Sequence, residues 1–137
     1  MAGVWEERGV TVSAVLRLQH DEMVRLDRGQ LEVLYQSLGP VGADKVVSHA
    51  LEELAATLSR ASREYRAGEV EALRASVKSL VAVAQQVGMT LLARVGRDVV
   101  VLSRSYDAAA FGAAMARLER IGESSLMAVW DLQDLSV

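Results

Sequence analysis

Six apolar residues, Val47, Leu51, Leu54, Leu58, Ala61 and Tyr65, recur at spacings of 4, 3, 4, 3 and 4. At about 3.6 residues per turn this draws one continuous stripe along a helix, the seam of a helix that packs on its neighbours at a shallow angle. A strand, whose side chains alternate with a period of about two, would scatter the same residues over both of its faces. Asp44 is placed to N-cap this helix, which runs to about Arg66. Gly68 breaks the chain before a second long helix from about Glu69 to Val87, which Gly88 caps. A chain organised around two such helices folds as a bundle.

The flanking segments carry the same kind of signal. Asp27 with Gln30 three residues later has the form of a capping box, and Leu31, Leu34, Tyr35 and Leu38 supply the stripe of a helix that Gly39-Pro40 ends. After Gly88 an amphipathic segment spans Thr90 to about Ser103, weakened as a helix by Gly96 and by the β-prone Val99-Val100-Val101. Asp107 caps a last helix with Phe111, Met115, Leu118, Ile121, Leu126 and Val129 on its inner face, and Gly122 is a place for a kink. Upstream, Val10, Val12, Val15, Leu16, Leu18, Met23 and Val24 admit either strand or helix, and a short helix over about 12–25 lying against the main body is favoured. No repeat, linker or low-complexity stretch marks a second domain. The expected architecture is all-α: an N-terminal segment, 1–26, packing on an antiparallel four-helix bundle of residues 27–137 with one or two additional helices.

Charge and composition narrow the function. Fifteen basic against 18 acidic residues leave a net charge of −3, which gives neither nucleic acid nor an anionic membrane a reason to bind. Without cysteine there is neither disulfide nor thiolate metal site, in keeping with a reducing cytosol. No basic-then-apolar leader and no run of about 18 uncharged apolar residues occurs, so a soluble, cytoplasmic protein is expected. His20, beside Asp21 and Glu22, does not place three ligands on one helix face, and His49 adds no cluster, so neither metal nor cofactor is expected. With no Ser-His-Asp arrangement, P-loop or dinucleotide fingerprint, nothing points to an enzyme. Arg60, Arg63 and Arg66 form a short basic stripe that Glu64 and Glu69 partly neutralise.

The helix after Gly68 is the most informative. On a helical wheel Leu73, Ser76, Leu80, Val83, Ala84 and Val87 lie opposite Lys78 and form the core stripe. Glu71, Arg74, Ala75, Lys78, Val81, Ala82 and Gln85 share the outward side. A fully solvated face is ordinarily more charged than this one. Its small apolar residues, rimmed by Glu71, Arg74 and Gln85, have two readings: a docking surface for a partner, or a surface covered by another helix of the same chain.

The same helix resembles the signature helix of the histidine-containing phosphotransfer (HPt) family. That family carries a phosphoryl-accepting His in a pattern close to Ala-His-x-Leu-Lys-Gly-x-Ala, with a Gly ten residues after the His. Counting back ten from Gly88 reaches Lys78, and Leu80 and Ala84 fall where the pattern has Leu and Ala. The resemblance extends in order and without insertions over residues 27–105. Leu31 to Gly39 resembles the family's first bundle helix with its Leu-Gly end, and Ala67-Gly68-Glu69 through Leu73 resembles the lead-in to the acceptor helix. Leu91, Leu92 and Ala93 resemble the Leu-rich start of the next one.

The departures fall on the chemistry. Lys78 stands at the acceptor position, Val81 replaces a Lys that helps hold the phosphoryl group, and Ala82 replaces a Gly that lets the partner approach. Shifting the register to align Lys78 with the family's Lys puts Ala75 at the acceptor position, so neither register supplies a histidine. A lysine ammonium titrates near ~10.4 and keeps its lone pair protonated at neutral pH, whereas an imidazole near ~6.5 is substantially neutral. The resemblance therefore implies a non-catalytic module that binds a response-regulator receiver domain, or a related two-component partner, without phosphotransfer. The alternative is a structural or self-associating helical bundle no longer tied to a phosphorelay, with Val81 and Ala82 in a homodimer or beneath the N-terminal segment.

Overall fold

A computed structural model describes residues 27–135 of the chain. The N-terminal segment 1–26, with its expected helix and its packing on the bundle, lies outside the described residues. Four helices follow one another: α1 (Arg28–Arg66), α2 (Val70–Gln86), α3 (Thr90–Leu102) and α4 (Ala108–Leu135), and the described residues form no strand. Short turns make successive helices antiparallel. Each helix packs on two neighbours around a ring, α1 on α2, α2 on α3, α3 on α4 and α4 back on α1, with no backbone contact across either diagonal. This is an all-α antiparallel four-helix bundle.

The seam from Val47 to Tyr65 lies where its spacing puts it. Val47, Leu51, Leu54 and Ala61 are buried, while Leu58 and Tyr65 are half-buried at the edge of the core. They meet Leu73, Val77 and Leu80 from α2, Leu92, Val95 and Val99 from α3, and Met115 and Leu118 from α4 in one cluster. Tyr65 closes one end of it, edge-on to Phe111 with ring centroids 5.2 Å apart.

α1 is interrupted at Gly39, whose φ of 74° and ψ of 168° leave the helical region, and the segments 28–38 and 40–66 run to either side. Asp27 caps the first, its carboxylate accepting from the Gln30 amide at 3.1 Å. The second segment starts at Pro40, not at Asp44 as the sequence suggested. Proline suits the first helical position because the N–H it lacks has no partner there, so the helix gains a turn before Asp44. Asp44 instead accepts a 2.6 Å hydrogen bond from the Tyr35 hydroxyl and ties the two segments together across the break. The stripe expected of residues 31–38 is only partly inward: Leu31 packs against the core, while Leu38 is exposed.

Three glycines shape the rest. Gly68 and Gly88, both at positive φ, end α1 and α2. In each turn the third residue past the helix donates back to a carbonyl five residues earlier, Glu69 to Glu64 and Met89 to Ala84, both at 2.9 Å. Gly122 does not kink α4, which runs through it unbroken. A Cβ there would sit 2.6 Å from Leu58 Cδ2, so its bareness lets α4 close on α1. The Gly96 and Val99–Val101 stretch, doubtful as helix on propensity, is helical because Val95, Gly96 and Val99 are buried in the bundle.

Two measurements follow. Both turn glycines need a left-handed backbone, which costs an alanine about 1–2 kcal/mol. Around Gly68 there is open space, whereas a Cβ on Gly88 would lie 2.8 Å from the Asp27 carbonyl oxygen. Urea unfolding should therefore show Gly88→Ala more destabilising than Gly68→Ala by at least ~1 kcal/mol. The second concerns Tyr35, whose phenol is held above its ordinary value of 10.0 by the hydrogen bond to Asp44, then by burial and the carboxylate's charge. A raised folded-state pKa means that this contribution is complete below the ordinary value and is lost as pH rises through the raised one. Unfolding followed from pH 10 upward should show a steeper loss of stability in the parent than in Tyr35→Phe.

Candidate functional site

α2 is held on three sides. At its carboxyl end, the Gln30 side-chain amide donates to the Gln85 and Gln86 carbonyls at 2.5 and 3.1 Å, and the Asp27 amide donates to the Gly88 carbonyl at 2.7 Å. Gln30 was expected to complete a capping box; it satisfies the end of α2 instead. On the α1 side, the buried Ser76 hydroxyl donates to Glu64 Oε1 at 2.6 Å and accepts from Arg60 Nε at 3.2 Å. On the α3 side, Gly96 comes so close to α2 that a Cβ there would lie 2.6 Å from Val81 Cγ2 and 3.5 Å from Val77 Cγ1.

These contacts decide which residues face outward. Leu73, Ser76, Leu80, Ala84 and Val87 are buried as the wheel predicted, and Val83 is half-buried. Val77, beside Lys78 in sequence, is also fully buried, because α3 packs onto that side of the helix. Of the expected face, Glu71, Ala75, Lys78, Ala82 and Gln85 are exposed in one stripe at spacings of 4, 3, 4 and 3. Arg74 and Val81 are half-buried, Val81 against Gly96 of α3. Ala72, Ser79 and Gln86 are exposed on the far side and extend the face beyond the sequence assignment. Its centre therefore lies nearer Ala75 and Ala82 than Lys78. The signal available in sequence was Val77, an apolar residue too close to Lys78 for a face centred on the lysine.

No described helix covers Ala75, Lys78 or Ala82. At their edge the Arg74 Nε is buried without a hydrogen-bond partner. The surface is flat, small in side-chain volume and flanked by charge, with no nucleophile but the hydroxyl of Ser79. His49 stands exposed on α1 in a shallow groove with Val41, Asp44, Lys45, Ser48 and Glu52, and His20 lies outside the described residues. Among the described residues no three His, Cys, Asp or Glu come together as metal ligands, and no helix is long and apolar enough to cross a membrane. Comparison with protein families, curated proteins and solved structures finds no match to this chain.

Two adjacent residues report directly on this face. Lys78→Ala should leave the unfolding free energy within about 0.5 kcal/mol of the parent, as for an exposed side chain without partners. Val77→Ala should cost roughly 2 kcal/mol through lost burial and the cavity left against Gly96. Chemical denaturation of the two variants side by side measures the contrast.

Proposed function

We propose that this chain is a non-catalytic HPt-like signalling module that docks a response-regulator receiver domain, or a related two-component partner, through the outward face of α2 without passing on phosphate. The observation that carries the reading is the exposed stripe Glu71, Ala75, Lys78, Ala82, Gln85, with the cation at the position where the resembled family has its acceptor histidine. An ammonium there suits recognition better than chemistry. A lysine is not the imidazole that accepts a phosphoryl group in the resembled family, but as a cation it can donate charge-assisted hydrogen bonds to a cluster of carboxylates. The alanines on either side let a partner's backbone approach closely, and Gln85 and Glu71 supply a polar rim. A homodimer centred on Val81 and Ala82 draws less support, since Val81 already packs on Gly96 within the same chain.

The test is binding of the full chain to a panel of purified receiver domains by biolayer interferometry. Lys78→Glu should weaken the receiver interaction at least tenfold while the helical content stays unchanged. A variant that binds every receiver as well as the parent would overturn the reading. In the same assay, a phosphorylated receiver should lose no label to the chain.

A further inference from the structure

The docking face does not end at α2. Gly96 of α3 lies against Val77 and Val81 of α2, with Val95 buried on the core side of that contact. The residues that follow the contact outward are Lys78 on α2 and Arg97 on α3, and both are exposed. Toward the start of α2 stands half-buried Arg74, and just past the end of α3 stands exposed Arg104; the antiparallel packing of α2 on α3 puts these two helix ends at the same end of the seam. Among the described residues none of these four cations has an ion-pair partner. Asp98, one residue from Arg97, faces instead the groove between α3 and α4 with Val101, Ala113 and Arg117.

On the exposed stripe of α2 and along the seam beside it, Arg74, Lys78, Arg97 and Arg104 outnumber the carboxylates nearest them, Glu69, Glu71 and Asp107, on a chain whose net charge is −3. Resting on the reading of the α2 face as a docking surface, we infer that it extends across the α2–α3 seam and that Arg74, Lys78, Arg97 and Arg104 select an acidic protein surface. A polyanionic nucleic acid fits less well. The remainder of the chain repels it, the exposed α2 stripe has no aromatic side chain for base stacking, and four cations make few phosphate contacts. A small apolar centre at Ala75 and Ala82 with charge along one rim is the pattern of a protein interface, and the charge raises the association rate more than it slows release.

The experiment uses isotopically labelled full chain titrated with a 20-residue polyglutamate peptide, a duplex DNA oligonucleotide and phosphatidylserine vesicles, at low and at physiological salt. Polyglutamate should shift the amide signals around Arg74, Lys78, Arg97 and Arg104 in preference to those around Arg63, Arg66 and Arg117. Arg97→Glu with Arg104→Glu should weaken peptide binding at least tenfold, Arg97→Gln with Arg104→Gln less, and Arg117→Glu on α4 not at all. Shifts spread evenly over the surface arginines, an equal loss in Arg117→Glu, or tighter binding of DNA or vesicles would each overturn the inference. Receiver domains form the separating arm. If none binds while polyglutamate maps to the four cations, the acidic-surface inference stands and the two-component reading falls. If a receiver depends on Lys78 yet ignores the paired arginine reversals, the reading stands and its extension onto α3 falls.

Discussion

The contact of Gly96 with Val81 and Val77 sets the rotation of α2 about its own axis, and the rest of the surface follows from that angle. Without a Cβ on α3, the two helices come together until valine methyls reach the backbone. Val77 is then fully buried, Val81 is half-buried, and the lysine between them has only solvent to point into. A larger residue at position 96 would push the helices apart, loosen the core around Leu80 and Val95, and turn α2 so that its alanines no longer form the flat centre of a face.

Apolar packing alone would leave the sliding of one helix along another poorly fixed, because it has no preferred direction. The polar contacts at the two ends supply that. Gln30 and Asp27 hold the last carbonyls of α2, and Ser76 sits between Glu64 and Arg60 nearer its start. Each couples α2 to α1, so the face is referenced to the longest helix of the bundle. The exposed stripe is therefore held in a fixed place relative to α1.

The bundle was legible in the sequence wherever a single helix decides its own periodicity. The a/d spacing of α1, the glycine stops at Gly68 and Gly88 and the Asp27 and Asp107 caps all reappear in the structure, the last as a 2.9 Å bond from the Ala110 amide to the Asp107 carboxylate. What the sequence concealed depends on a neighbour. Asp44 has the character of an N-cap, but the chain breaks earlier, at Gly39, and Pro40 takes the first helical position, which leaves the Asp44 carboxylate to accept from Tyr35 across the break. Gly122 looks like a hinge until Leu58 is placed against it. The candidate face was found as a stripe but centred on the wrong residue. A wheel drawn from one helix shows which residues are polar, whereas the side from which the next helix arrives is a property of the pair. Arg97, on α3, and Arg104, just past its end, are likewise absent from a wheel of α2 alone.

The order in which the helices ring the core has a consequence for how the molecule assembles. Three of the four helix pairs are joined by short turns, so their contacts form between segments already close along the chain, at little loop-closure cost. The fourth pair, α1 with α4, joins the two ends of the ring through Leu58 on Gly122 and Tyr65 on Phe111. Ordering entropy is thereby concentrated in a single closing step, at the interface furthest around the ring from the α2–α3 seam. The hairpin that displays the lysine is among the most local parts of the fold, and its geometry does not wait on that last and most distant contact.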